Sequence, residues 1–279
     1  MYSIGIDAHK RYSQITIMQE NGKIINRCKV NNDRKSIKRA LSPYAQDGSK
    51  AVLESGWNWG LLYDMISDCD LEVKVAHPLK VKAIAEAKIK TDKISADILA
   101  HLLWADLIPE CYVKGKSSRR IQQVLRQRMF LVRFKTIVKN KIHNLIDRQE
   151  NAREQVQSFT DLFGAKGMQC LSSVEMPLLE RKFLDGQLEL LEELRTHISL
   201  IESILAQVKE NDEIVEHLKT IPGIGECLAM LIRYEIDRIE RFPSSNKLCA
   251  YAGLVPSTYS SGGKTYHGRI IKQGNKYLR

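Results

Sequence analysis

The chain has 279 residues, and its Lys and Arg outnumber its Asp and Glu by 43 to 33, which gives a formal net charge of +10 and a sequence pI near 9.2. This length can hold two domains with cores of their own, and the positive charge favours polyanionic partners such as nucleic acid. No apolar run approaches the roughly 18 residues that span a bilayer, and the amino terminus lacks a signal-peptide core, so we expect a cytoplasmic protein. The six cysteines are scattered, which favours reduced thiols over zinc sites or disulfides.

The first predicted strands place an acid at a strand end. Period-two segments rich in Val, Ile and Tyr predict strands at residues 2–6, 12–18 and 23–30, and Asp7 directly follows the first of them. Three antiparallel strands with an acid on the first are typical of a ribonuclease H-like domain. A lone strand-end Asp, by contrast, more often caps a turn.

Further acids follow the next predicted elements. A strand at residues 50–53 runs into Glu54, and a strand at residues 72–76 precedes an apolar helix whose start offers Asp92 and Asp97. In open α/β sheets, ligands bind at the carboxyl ends of the strands, so the strand-end acids are expected at one edge.

Carboxylates gathered from separate strands are typical of sites for hard divalent cations. Two such ions, about 3.5 to 4 Å apart, can activate the attacking oxygen and stabilise the leaving oxygen of a phosphodiester. Mg²⁺ or Mn²⁺ is therefore the expected cofactor. His9 is close to Asp7 in the sequence, so a position near the site is one interpretation, but the seven histidines form no cluster in the sequence and we favour the interpretation that His9 is incidental.

Several short motifs occur in order along the chain. They are Ile4-Gly5-Ile6-Asp7-Ala8-His9-Lys10, Glu54-Ser55, Lys90-Thr91-Asp92-Lys93-Ile94, Ile221-Pro222-Gly223-Ile224-Gly225, Ala252-Gly253-Leu254-Val255-Pro256, Ser260-Ser261-Gly262-Gly263-Lys264 and Gly268-Arg269-Ile270. Each motif alone is weak, but their order and spacing together resemble the DEDD transposases of the IS110 type, which are related to the Piv DNA invertases. The resemblance covers nearly the whole chain.

The resemblance implies a ribonuclease H-like (RuvC-like) mixed-sheet domain with catalytic, metal-binding acids at Asp7, Glu54, Asp92 and Asp97. The family usually has its fourth acid three residues after the third, and here that position is Ser95. If the helix already runs through Asp92, Ser95 shares its face and Asp97 lies about 140° away. If the helix begins only near Ser95, Asp97 falls in its first turn, where it is either a metal ligand or an exposed acid that favours the helix dipole.

The segment from Tyr112 to Arg148 is strongly basic, with eleven Lys or Arg residues and a single acid. Its apolar residues recur at helical spacing, which predicts that one face packs while basic side chains on the other contact phosphates. A solvated charged face is the alternative. The predicted nucleic-acid contacts on this helix are Arg119, Arg120, Arg126, Arg128, Arg133, Lys135, Lys139 and Lys141.

Residues 176–210 predict a long helix whose apolar residues, from Leu184 to Val208, are spaced by threes and fours as in a coiled coil. Such a seam can be buried against a helix of the same chain or against a second subunit. The resemblance implies a homodimer or homotetramer, which favours the second subunit.

The turn at residues 221–225 lies between predicted helices and resembles the hairpin of a helix-hairpin-helix element. In that interpretation, Gly223 and Gly225 allow backbone N–H groups to point at a phosphate near a helix amino terminus. A plain helix-helix turn is the alternative.

The segment from residue 257 to residue 279 is basic and contains no acid. Lys264 and Arg269 are predicted to contact nucleic acid. The resemblance implies that a Ser in this loop attacks DNA and forms a transient covalent link. Ser261, which precedes a Gly, is the predicted nucleophile, and Ser260 is the alternative.

We therefore predict an α/β plus α protein with a catalytic domain at residues 1–110, a basic helix and coiled coil at 111–212, and a mainly helical transposase domain at 213–279 that is shorter than usual. The expected function is Mg-dependent DNA transposition or recombination in the cytoplasm, in association with the nucleoid when DNA is bound. The resemblance implies donor and target DNA as partners and a noncoding RNA as guide. A junction-resolving nuclease, which does not need Ser261, and an inactive nucleic-acid-binding remnant are the alternatives.

Overall fold

A computed structural model describes residues 1–45, 48–85, 91–208 and 212–279. It divides into two compact units, Met1–Val113 and Lys114–Arg279. The predicted division into three parts, at residues 1–110, 111–212 and 213–279, stays a prediction. Within the described ranges, the helices are all too short or too polar to cross a membrane.

The first unit is built on a mixed sheet. Its strands are β1 (Tyr2–Ala8), β2 (Tyr12–Gln19), β3 (Ile24–Asn31), β4 (Lys50–Glu54) and β5 (Glu72–Ala76). In the described part of this unit they lie in the order β3-β2-β1-β4-β5. The first three strands pair antiparallel, while β4 and β5 run parallel to β1. This arrangement fits the expected ribonuclease H-like fold.

Helices cover both faces of this sheet. They are α1 (Arg34–Leu41), α2 (Trp59–Ser67), α3 (Pro78–Ile84) and α4 (Asp92–Trp104). Ile4 and Ile6 of β1 are buried in one core together with Ile66 of α2. Val52 of β4 belongs to a second core, which contains Leu99 of α4. Side chains alternate along each strand, so α2 and α4 lie on opposite faces of the sheet.

The second unit is mainly helical. Its helices are α5 (Lys116–Ile146), α6 (Glu150–Val156), α7 (Ala165–Ser173), α8 (Leu178–Val208), α9 (Glu213–Lys219), α10 (Glu226–Ile236) and α11 (Ser245–Ala252), and its strands β6 (Pro256–Ser261) and β7 (Lys264–Ile270) pair antiparallel. The Ser-containing segment, which was expected to be a loop, is therefore a β-hairpin.

The long helices α5 and α8 pack along one another within this unit. Ile142 near the end of α5 shares a core with Leu184 near the start of α8, and Leu125 near the start of α5 shares another with Leu205 near the end of α8. The two helices are therefore antiparallel. This intrachain packing buries most of the predicted apolar seam of α8, from Leu184 to Leu205, whereas Val208 at the end of the seam is exposed. The use of the seam as a coiled coil with a second subunit stays a prediction.

Candidate active site

Two of the predicted acids stand side by side at the ends of parallel strands. Ile6 of β1 pairs with Leu53 of β4, so the residues that follow, Asp7 and Glu54, lie at the same level on strands about 4.8 Å apart. Two residues before Glu54, Val52 packs in the core with α4. By strand alternation, both carboxylates lie on the α4 face of the sheet, where both residues are half-buried.

The third acid reaches this place because α4 lies directly on β1. A Cβ added at Gly5 would lie 2.1 Å from the backbone oxygen of Ala96 and 2.5 Å from the nitrogen of Ala100, so only Gly permits this approach. The Thr91 side chain caps the helix by accepting a hydrogen bond from the Ile94 N–H. Asp92 is therefore the first helical residue.

The structure brings Asp7, His9 and Asp92 together. One potential ligand atom of each lies within 4.8 Å of the others. His9 Nε2 is 3.5 Å from Asp7 Oδ2 and 3.2 Å from Asp92 Oδ2. No other group of three His, Cys, Asp or Glu side chains in the described ranges meets this criterion. The interpretation of His9 as incidental does not anticipate this position.

Tyr12 also contacts Asp92, and the sequence analysis did not predict Tyr12 as a residue of the site. Its hydroxyl donates a 3.0 Å hydrogen bond to Asp92 Oδ2. This hydrogen bond, together with burial and the charges of Asp92 and Asp7, raises the pKa of the Tyr12 hydroxyl, so the phenol remains a donor. Tyr12 lies on β2, opposite β1, and every second residue of β2 from Tyr12 onward faces α4.

Asp97, the predicted fourth acid, is held by other partners. It accepts hydrogen bonds from the Thr16 hydroxyl at 2.7 Å and from Arg27 Nε and Nη2, each at 3.0 Å. Because α4 begins at Asp92, Ser95 shares the face of Asp92 and Asp97 does not; a helix that starts only near Ser95 is ruled out. The role of Asp97 as a ligand stays a prediction, and Lys90, the first residue of the motif that contains Asp92, lies outside the described residues.

Comparison with known protein families decides the assignment. A family model of the DEDD transposases of IS110, described as a transposase, matches residues 4–149, just over half of the chain. A second model, described as the transposase IS116/IS110/IS902 family, matches residues 215–279. The chain belongs to the IS110 family of DEDD transposases. The first match spans the whole of the site built by Asp7, Glu54 and Asp92.

Individual transposases are similar to this chain over different lengths. The transposase for insertion sequence element IS1111A of Coxiella burnetii is 25% identical over 283 residues, which cover 99% of this chain and 74% of that protein. A probable family 20 transposase of Pseudomonas aeruginosa is 25% identical over 60% of this chain and 49% of its own length. The transposase for IS1328 of Yersinia enterocolitica is 31% identical over 48% of this chain and 43% of its own length. The chain thus spans less than half of the last two proteins.

In this DEDD transposase, part of the basic face of α5 is used for internal contacts. Arg126 donates hydrogen bonds of 2.6 and 2.8 Å to Glu235, a fully buried carboxylate on α10. Arg128 donates hydrogen bonds to Glu202 of α8 at 2.9 and 2.6 Å. The acids lie more than seventy residues away in the sequence, so these pairings were not predicted, and contact of Arg126 and Arg128 with nucleic acid stays a prediction.

The other predicted basic residues differ in exposure. Arg120, Arg133 and Lys141 are exposed. Arg119, Lys135 and Lys139 are half-buried, and Lys139 Nζ lies 4.6 Å from the centre of the Phe163 ring. The exposed residues therefore keep their charged groups accessible to a phosphate backbone.

The predicted nucleophile lies at the tip of the hairpin. Ser261 ends β6 and pairs with Lys264, and Gly262 and Gly263, both with positive φ, form the two-residue turn between them. The Ser260 hydroxyl is 2.8 Å from that of Thr265. Ser260, Ser261, Lys264 and Arg269 are all exposed. The hairpin thus presents both serines and both basic residues to solvent.

The predicted helix-hairpin-helix segment joins α9 to α10. Gly223 has a φ of +87°, a conformation that favours glycine, and Gly225 directly precedes the first residue of α10. Added Cβ atoms at either glycine would meet no atom within 4 Å. The space above the turn is therefore open, while phosphate binding there stays a prediction.

Proposed function

We propose that this chain is the transposase of an insertion sequence and that it cuts and rejoins DNA strands with divalent metal ions and a serine nucleophile. The observation that carries the proposal is the convergence of Asp7 and Asp92, from the first strand and from a helix more than eighty residues later, within a chain of the DEDD family. Glu54, in register beside Asp7, adds a third acid of the family pattern.

The residues of the site fit a divalent cation. Asp7 and Asp92 offer carboxylate oxygens, which Mg²⁺ and Mn²⁺ prefer, and His9 Nε2 is buried without a hydrogen-bond partner among the described residues. Asp7, Glu54 and Asp92 would hold the metal, and Tyr12 would orient Asp92. When bound, such an ion supplies activation of the attacking oxygen and stabilisation of the leaving oxygen.

Ser261 is the proposed nucleophile. Its hydroxyl loses its proton as the oxygen forms a bond to phosphorus, the bond from phosphorus to the leaving deoxyribose oxygen breaks, and that oxygen takes up a proton. Attack by a new DNA hydroxyl reverses these changes and releases the serine, so strands are rejoined without an external energy source. The exposure of Ser261 at the tip of a hairpin supports access to DNA.

The partners of the proposed reaction are donor and target DNA, a noncoding guide RNA and further copies of the chain. The net charge of +10 and the exposed Arg120, Arg133 and Lys141 support binding of nucleic-acid backbones. A guide RNA would read sequence by base pairing, so the protein itself needs mainly backbone contacts.

One observation favours a second function, an inactive nucleic-acid-binding remnant. Ser95 stands where the family has its fourth acid, and the nearby Asp97 is paired with Arg27. A site with three acids in place of four is a weaker site for two metal ions.

The test is capture of a covalent protein-DNA adduct. The full chain is incubated with Mg²⁺, DNA that carries the ends of the element and RNA transcribed next to it, and products are separated on a denaturing gel and mapped by peptide mass. An adduct at Ser261 that is lost in Ser261→Ala and in Asp7→Asn, but kept in Ser260→Ala, supports the proposal. Metal-dependent nicks without an adduct support a nuclease instead, and binding without either product supports the remnant.

A further inference from the structure

The side chain of His9 lies beside two acids of the proposed metal site. Its Nε2 atom lies between two carboxylate oxygens, 3.5 Å from Asp7 Oδ2 and 3.2 Å from Asp92 Oδ2. The atom is buried, yet it has no hydrogen bond to any described residue. The short distances are therefore not those of a well-directed hydrogen bond, and a buried polar atom without a partner is unfavourable.

The backbone around His9 is held in place on both sides. The His9 N–H donates to the Tyr12 carbonyl at 2.9 Å, which closes the turn between β1 and β2. The Asn32 side-chain amide donates to the His9 carbonyl at 2.7 Å. The imidazole also packs against the Tyr12 ring, with centroids 4.8 Å apart. These contacts fix the ring and leave Nε2 directed at the acids.

The chemistry of this arrangement is that of a mixed metal site. The site holds two carboxylates and one imidazole nitrogen, whose ligand atoms lie within 4.8 Å of one another. Such a set of oxygen and nitrogen atoms is better satisfied by a shared divalent cation than by contacts among its own members. We infer that His9 Nε2 is a ligand of the catalytic cation and that it gives the site a preference for transition-metal ions such as Mn²⁺ over Mg²⁺. This inference rests on the metal site of the proposed function.

The preference follows from ligand type. Mg²⁺ is bound by oxygen and keeps much of its water, whereas a nitrogen ligand strengthens binding of first-row transition ions. Removal of a partner outside the coordination sphere typically lowers metal affinity about 10- to 100-fold. Loss of a direct nitrogen ligand should therefore weaken Mn²⁺ binding about tenfold or more, with a smaller effect on Mg²⁺.

The experiment uses Mn²⁺ as the probe and the full chain, with and without a DNA duplex. Pulsed electron paramagnetic resonance detects the coupling of bound Mn²⁺ to the ¹⁴N nucleus of a histidine ligand, and titrations give the Mn²⁺ affinity and its competition by Mg²⁺. The variants are His9→Gln, which offers an oxygen but no imidazole, and the matched control His197→Gln, at an exposed position on α8. Asp7→Asn tests the metal site itself.

The expected result is nitrogen coupling in the wild type and in His197→Gln, its loss in His9→Gln, and about tenfold weaker Mn²⁺ binding in that variant. Asp7-dependent Mn²⁺ binding without nitrogen coupling would overturn the role of His9 and leave the proposed function intact. If no Mn²⁺ is bound with or without DNA, or if Asp7→Asn has no effect on binding, both the inference and the metal site are wrong.

Discussion

The Tyr12 hydroxyl donates a 3.0 Å hydrogen bond to the carboxylate of Asp92, a residue 80 positions away in the sequence. Tyr12 comes from β2 and Asp92 begins α4, so this contact joins the hairpin to the helix. Because the phenol donates to Oδ2, the same oxygen that lies near His9, it limits how that carboxylate can rotate.

Tyr12→Phe should therefore weaken metal binding without unfolding the protein. Loss of a hydrogen bond that orients a ligand typically lowers metal affinity about tenfold or more. Calorimetric titration with Mn²⁺ measures the change, and circular dichroism checks the fold. Tyr44→Phe is the control, since Tyr44 accepts an exposed hydrogen bond from Asn26 and has none with the site acids. Equal affinities in Tyr12→Phe and the wild type would show that Asp92 is oriented by other contacts.

Ser95→Asp should strengthen metal binding. Ser95 lies one helical turn after Asp92 on the same face of α4, and it is half-buried. A further carboxylate at this position should raise the affinity for divalent ions by about tenfold, since ligand charge sets the affinity of oxygen sites. Titration with Mg²⁺ and Mn²⁺ tests this. Ser67→Asp, an exposed residue on α2, adds the same charge as a control, and an equal gain in both variants would mean that the effect is only one of net charge.

The strands could be predicted because strand period is a local property of the sequence, and Asp7 and Glu54 could be expected at one edge because both follow strands. The strand order and the register that set them side by side come from long-range pairing. The position of Asp92 beside Asp7 was expected from the family pattern. The partners of Asp97 and the position of His9 between two acids could not be predicted in this way. Arg27 is 70 residues from Asp97, and His9 reaches the acids only because the turn brings it against Tyr12.

The contacts of the basic helix α5 could likewise be predicted only in part from the sequence. Helical spacing predicted its buried face, but the acids that pair with Arg126 and Arg128 come from α10 and α8. Only long-range packing shows which positive charges are used inside the unit and which remain exposed to solvent. The nucleic-acid contacts proposed for α5 are therefore best tested at the exposed positions.

Replacement of Arg120, Arg133 and Lys141 by Gln should weaken DNA binding and flatten its salt dependence. Each lost phosphate contact makes the negative slope of log K against log salt shallower by about 0.9. The slope of the triple variant should therefore be shallower than that of the wild type by about 2.7. Fluorescence anisotropy over a range of salt concentrations measures the slope. The matched control replaces Arg153, Lys166 and Lys182, which are exposed on α6, α7 and α8. Equal slopes in the two triple variants would contradict a specific role for α5.

Glu235→Gln should destabilise the second unit at neutral pH. Glu235 is fully buried and accepts hydrogen bonds from Arg126, Gln122 and Asn275. Removal of one partner of a buried ion pair typically costs about 3 to 5 kcal/mol of unfolding free energy. Urea unfolding measures the loss, and Glu189→Gln, at an exposed position on α8, should change stability by less than about 0.5 kcal/mol.

The difference in unfolding free energy between the wild type and Glu235→Gln should depend on pH. Burial alone would raise the pKa of Glu235, but the hydrogen bonds from Arg126 and Asn275 and the charges of Arg126 and Lys114 outweigh it and lower the pKa. A carboxylate with a lowered folded-state pKa stabilises the protein above its unfolded pKa of about 4.3, and this stability is lost as the pH falls through the folded-state value. The advantage of the wild type over Glu235→Gln should therefore shrink below about pH 4. A difference that stays constant there would rule out the charge of Glu235 as its source.

The close contact at Gly5 has a consequence for how this site can be altered. A single methyl group at position 5 would collide with the backbone of α4 at Ala96, and backbone atoms cannot rotate aside as a side chain can. Gly5 thus works as a spacer of minimum thickness that sets the gap between the strand that carries Asp7 and the helix that carries Asp92. The width of the proposed cation site therefore depends on a residue with no functional group, and an attempt to widen that site for a larger ion would begin at Gly5.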